Sequence, residues 1–154
     1  MNRVVGVIVV LVLGGCAGDG GDARVAEVAA RGAEVMPFDL ERTTHRFEAS
    51  DVGGVQTVVA DDPRDAEQVA LVRQHLRLEA DRFRAGDLGD PAAIHGHDMP
   101  GLATLEAHAD RFAISYREVE AGGRITFETD DPELVSALHD WFDAQLADHG
   151  LHAE

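Results

Sequence analysis

The chain contains no lysine. All 13 of its basic residues are arginine, set against 29 acidic residues for a formal charge of −16. Such an excess repels phosphate backbones, which argues against a nucleic-acid partner. It also provides no electrostatic attraction to anionic lipid head groups. Cysteine is nearly absent: Cys16 stands alone, so the chain can form no internal disulfide and no thiolate metal cluster. Serine is scarce, with only Ser50, Ser115 and Ser136, and none has an evident triad partner. Gly-x-Ser-x-Gly, a phosphate-binding glycine loop, His-Glu-x-x-His and Cys-x-x-Cys-His are all missing, which removes the enzyme and haem classes those motifs mark.

One apolar run is present, at the N-terminus. After Arg3, residues Val4 to Leu13 are almost entirely aliphatic. Roughly ten residues suit the hydrophobic region of an export signal and fall well short of the ~20 needed to span a bilayer. Leu13-Gly14-Gly15-Cys16 follows. It resembles the bacterial lipobox, in which small residues let the extended backbone enter a peptidase cleft and the thiol takes a diacylglycerol. The resemblance implies that residues 1–15 are a signal peptide and that Cys16 is the lipidated first residue of the mature chain. Ala17, where Asp would signal inner-membrane retention, implies the outer membrane, with the domain facing the periplasm. Residues 16–22 then read as lipidated Cys and flexible tether, rich in Gly and Asp. Membrane attachment would rest on the acyl chains.

Residues 23–154 have the length and the apolar content for a single domain with its own core. Residues 23–36 have helical composition, interrupted at Gly32 and stopped before Pro37. A first block follows over 44–85. His45, Phe47 and Ala49 alternate with Thr44, Arg46 and Glu48; Gly53-Gly54 reads as a hairpin turn; Val55 to Ala60 is β-branched. Asp61-Asp62-Pro63 reads as a helix start, with an acidic N-cap and Pro in the first turn. Residues 111–149 repeat this grammar. Phe112, Ile114 and Tyr116 alternate, Gly122-Gly123 turns, Ile125 and Phe127 line a strand, and Thr129-Asp130-Asp131-Pro132 caps a helix ending at Gly150. Two ββα units predict an α+β fold: a four-stranded, mainly antiparallel sheet with both helices on one face. Residues 86–108 form an insertion, mostly loop, with a short helix after Pro100.

Eight histidines direct attention to metal chemistry. His95, His97, Asp98 and Met99 fall within five residues of the insertion, where Gly96 could let two imidazoles converge. A thioether beside imidazole suits copper, because soft sulfur favours Cu(I). A second set lies on the helices. His75 and Glu79 share one face, as do His139 and Asp143, and His45 shares its strand face with Phe47. If the two halves pack about a pseudo-twofold axis, His45, His75 and His139 approach one another. Glu79 and Asp143 would then serve as ligands or as orienting partners for Zn²⁺ or Cu²⁺. The competing account is structural: His–carboxylate pairs four apart add tenths of a kcal/mol to a helix, and His149 suits a helix C-terminus.

Met36-Pro37-Phe38-Asp39-Leu40, Thr44-His45-x-Phe47, Ile94-His95-Gly96, Asp98-Met99-Pro100-Gly101-Leu102 and His139-x-Trp141-Phe142-Asp143 together resemble a family of short secreted bacterial proteins. These are sometimes labelled aspartate carbamoyltransferase. The resemblance covers roughly residues 30–152 and implies no established activity. Carbamoyltransferases carry a Ser-Thr-Arg-Thr phosphate loop that this chain lacks, so the label does not suit its chemistry. In that family the position of His97 is often another residue, which moves weight to His45, His95, Met99 and His139. Three functions are therefore expected, in order. The first is a lipid-anchored periplasmic protein binding a transition metal, copper ahead of zinc, through His and Met. The second is a non-catalytic structural or interaction lipoprotein whose histidines only pack. The third is a small hydrolase or transferase with a His–carboxylate acid–base pair.

Overall fold

The computed structural model describes residues 19–150 and 153–154. The signal segment, Cys16 and the first tether residues lie outside them, as does His152. The elements are α1 (Asp19–Val35), β1 (Thr43–Ser50), β2 (Gly53–Ala60), α2 (Ala66–Arg84), α3 (Gly89–His95), α4 (Leu102–Ala107), β3 (Ala113–Val119), β4 (Gly122–Glu128) and α5 (Pro132–His149). Among the described residues no helix is long and apolar enough to cross a membrane.

The fold is α+β, as the two-block pattern predicts. The four strands form one sheet in the order β1-β2-β4-β3, and every neighbouring pair is antiparallel. Two hairpins thus meet through their inner strands. The long helices cross over: α2 lies mainly on β3 and β4, and α5 on β1 and β2. Both cover the same face, because the Phe127 ring of β4 is 5.9 Å from Phe83 of α2 and 6.1 Å from Trp141 of α5. Val72, Leu76, Ala80 and Phe83 of α2 and Leu134, Leu138, Trp141 and Phe142 of α5 are buried at helical spacing against Phe47, Val58, Ile125 and Phe127. Burying each large apolar side chain contributes about 1.5–3 kcal/mol.

Four local expectations are corrected. The glycine pairs are not the hairpin turns; Asp51-Val52 and Glu120-Ala121 are, and the glycines begin the second strand of each hairpin. Their role is close approach: a Cβ on Gly54 would lie 2.5 Å from the Phe142 ring, and one on Gly122 would lie 2.0 Å from the Val58 carbonyl oxygen. The first long helix is capped by Asp65, which accepts from the Gln68 N–H, rather than by the Asp61-Asp62-Pro63 turn before it. The second is capped by Asp131 with Pro132 in its first turn, as read from the sequence. The insertion is largely helical, since α3 occupies seven of its residues and α4 six. Finally, α1 begins at Asp19, inside the expected tether, and continues through Gly32.

Two devices tie the ends of the chain to this core. Arg24 and Arg31 of α1 donate to the carbonyls of His95 (2.6 Å) and Ile94 (3.2 Å), which the C-terminus of α3 leaves without helical partners. The C-terminal residues extend the sheet beyond β1: the Phe47 N–H donates to Glu154 O and the Glu154 N–H to His45 O.

A histidine-lined candidate metal centre

Between the sheet and helices α2, α3 and α5 lies a small interior cavity of about 30 Å³. Its walls are unusually polar for a core. His45 from β1, His75 and Glu79 from α2, His95 from α3 and Gln145 from α5 are all at most 8 % exposed and all line it. The helical spacing explains α2's share. Residues 75 and 79 lie beside the apolar stripe of Val72, Leu76, Ala80 and Phe83, so one helix serves both the core and the cavity.

His75, Glu79 and Asp90 each offer a ligand atom within 4.8 Å of the others. Asp90 enters from the first turn of α3, so the insertion folds back onto α2. Arg82 bridges the two carboxylates: its guanidinium is 3.0 Å from Glu79 Oε1 and also pairs closely with Asp90. Burial nevertheless dominates at Glu79. Together with the negative charge of Asp90 it pushes the carboxyl up to about 7, although Arg82 pulls the other way. Burial likewise lowers His75, against the pull of Asp90. Its imidazole is therefore neutral at pH 7 and keeps a lone pair.

A second group adjoins the first. Burial lowers His95 despite an opposing pull from Asp148, whose Oδ2 lies 2.8 Å from His95 Nδ1. Burial alone would raise Asp148, but hydrogen bonds from Arg24 and His95 leave it below the usual carboxylate range. An ionised Asp148 accepts the Nδ1 proton and so leaves Nε2 of His95 as the lone-pair nitrogen. His149, at the end of α5, has its ring 5.0 Å from that of His95 and stacks 4.9 Å from that of His45. Its Nε2 is 3.2 Å from Gln145 Oε1. The Phe38 ring separates His45 from His75, lying 6.0 Å from one and 5.6 Å from the other.

Two buried polar atoms in the wall of this cavity, Gln56 Oε1 and Trp141 Nε1, have no hydrogen-bond partner among the described residues. Leaving such an atom unpaired costs about 1–3 kcal/mol. Trp141 is the chain's single tryptophan and is 1 % exposed.

Of the residues singled out in the sequence, His45, His75, Glu79 and His95 come together around the cavity. The others do not. His139 sits at the turn end of the first hairpin, where Nε2 donates to the carbonyls of Gly53 (2.9 Å) and Ser50 (3.1 Å). Asp143 is exposed on the outer side of α5. His97 and Asp98 are exposed beyond α3, whereas Met99 is buried in the apolar core. The insertion therefore does not gather its His, Asp and Met about one point, because α3 ends at His95 and Gly96, at φ +98°, turns the chain away. Asp90, Asp148, Gln56 and Trp141 join the site without having been picked out as its members, and His149, read as suiting a helix C-terminus, joins them. The Asp90-Pro91 pair, an acidic residue before a helix-starting proline, is the signal that could have exposed α3 and its carboxylate.

A larger depression of about 490 Å³ lies on the sheet around Thr44, Arg46, Thr57, Val59 and Arg124. It is broad and open, and Arg46 and Arg124 are already engaged by Glu154 and Thr57. The interior cavity holds the stronger concentration of buried donors and acceptors. Comparison with protein-family models, curated proteins and solved structures finds no match for this chain.

Proposed function

We propose that the chain is a lipid-anchored cell-envelope protein whose domain binds one divalent transition-metal ion through His75, Glu79 and Asp90. The observation that carries this reading is the convergence of those three ligand atoms within 4.8 Å at the edge of a histidine-lined cavity. One imidazole and two carboxylates are borderline-to-hard donors, which suit Zn²⁺. The thioether that would favour copper belongs to Met99, which packs in the core. Zinc therefore comes ahead of copper. His95, oriented by Asp148, supplies a further neutral imidazole facing the same space.

A purely structural role is favoured by Arg82, which neutralises Glu79 and Asp90 with no ion at all. That reading leaves Gln56 Oε1 and Trp141 Nε1 unexplained. The envelope assignment rests on the resemblance of Leu13-Gly14-Gly15-Cys16 to a lipobox.

The test is zinc titration of the purified protein by calorimetry, with His75→Ala and Glu79→Gln alongside. One ion per chain at micromolar zinc, weakened at least tenfold in both variants, is expected. Absence of stoichiometric uptake, or uptake indifferent to both substitutions, would overturn the metal reading. The anchor is tested separately: Cys16→Ala should move the protein from the membrane fraction to the soluble one.

A further inference from the structure

We infer that the metal centre is open, with one coordination position kept for a small exchangeable oxygen ligand held between Trp141 Nε1 and Gln56 Oε1. The inference rests on the metal reading above and says what kind of centre it is. Three protein groups converge at the site, whereas a closed structural zinc site takes four. The remaining room is small: about 30 Å³ admits one or two water-sized molecules and nothing larger than a small anion. Among the described residues, one donor and one acceptor in its wall have no partner. Indole N–H can only donate and an amide oxygen can only accept. A water satisfies both, accepting from Trp141 and donating to Gln56, and keeps a lone pair for the metal.

The placement of the two atoms argues against accident. Gln56 lies on β2 and Trp141 on α5, elements that pack against one another, and both line the cavity that His75 and Glu79 line from α2. Buried tryptophan normally finds a partner for its N–H. Here the neighbouring Phe83, Phe127 and Phe142 rings surround the indole and offer none. The ligand class that fits is water or hydroxide, or an anion of a few atoms that replaces it. A position of this kind is what a metal needs to polarise a bound water for hydrolysis. His95, with Nδ1 engaged by Asp148, lines the same cavity and would present its Nε2 as a neutral acceptor there.

The experiment uses the cobalt-loaded protein, with azide and formate as probes of the open position. Co²⁺ reports its coordination in the visible absorption band, and the single tryptophan reports the cavity by fluorescence. Azide should shift the cobalt band of the loaded protein and change Trp141 emission, with no emission change in metal-free protein. Trp141→Phe, read by absorption alone, removes the donor that the anion accepts from and should weaken the azide response several-fold while leaving cobalt uptake within threefold of the parent. Gln56→Leu removes an acceptor that faces the anion and should leave the azide response undiminished. Stoichiometric cobalt uptake with a band unmoved by a large excess of either anion would overturn the open centre and leave the metal reading standing. Failure to take up cobalt would overturn both.

Discussion

His95 Nδ1 lies 2.8 Å from Asp148 Oδ2, and the same carboxylate is gripped through both oxygens by Arg24. One acidic side chain thus fixes the tautomer of a cavity imidazole and fastens α1 to the rest of the domain. Asp148→Asn keeps the shape but loses the charge-assisted bonds, which are worth about 1.5–3 kcal/mol before allowance for the partial exposure of Arg24. We expect a loss of about 1–2 kcal/mol in urea unfolding at pH 7. Asp148 is depressed in the folded state, so its contribution is present at neutral pH and disappears as pH falls through the folded value. Parent and variant should converge in strongly acid solution; a constant difference down to acid unfolding would refute the ion-pair account.

Glu79 behaves in the opposite sense. Its carboxyl titrates at about 7 in the folded protein against an ordinary value of 4.5, so the folded state holds the proton more tightly. Stability from this group is therefore complete below pH 4.5 and is lost as pH rises towards 7. Burial sets the value first and the negative charge of Asp90 adds to it, while Arg82 opposes them. Glu79→Gln mimics the protonated acid and should leave stability near pH 4 almost unchanged. In metal-free protein at pH 8 it should stabilise, with an upper bound of about 3 kcal/mol from the width of the shift. Thermal unfolding in chelator at both pH values measures this. Equal effects at pH 4 and pH 8 would contradict it.

Arg82 and a metal ion compete for the same two carboxylates. With its guanidinium side chain 45 % exposed, Arg82 has room to swing outward. Arg82→Gln removes a like charge next to the ion and should tighten zinc binding at pH 8 by about tenfold, the size of a partly screened repulsion at this range. Weaker binding in the variant would mean that Arg82 instead holds Glu79 and Asp90 in position for the ion.

Much of the architecture was legible because it follows from periodicity and punctuation. Alternation in His45–Ala49 and Phe112–Tyr116, the apolar stripes of α2 and α5, and the Asp131-Pro132 cap are local signals, and the structure keeps all of them. The glycine pairs were legible as important but not for the right reason. Close helix approach at Gly54 depends on where Phe142 lands, which no local pattern records. The same limit governs the site. The i,i+4 spacing of His75 and Glu79 is visible in the chain, but Asp90 reaches them only because α3 doubles back, and Asp148 reaches His95 across 53 positions. The i,i+4 spacing of His139 and Asp143 is equally regular, yet the face it defines looks outward and towards the hairpin end.

That difference between two similar pairs can be measured. His139→Ala should remove the donor that ties Gly53 and Ser50, at a cost of about 1 kcal/mol typical of a hydrogen bond to backbone. Zinc uptake should be unaffected. His75→Ala should weaken uptake at least tenfold, and because it truncates a buried ring packed on Phe38 it carries a structural cost of its own. A combined His97→Ala, Asp98→Ala, Met99→Leu variant completes the comparison. It deletes the His97, Asp98 and Met99 donors of the insertion while conserving the buried volume at Met99, a class of swap that usually costs less than ~1.5 kcal/mol. Zinc affinity should stay within a factor of two of the parent. If copper or zinc binding collapsed in that variant while persisting in His75→Ala, the ligands would lie in the insertion and the cavity would be only a packing feature.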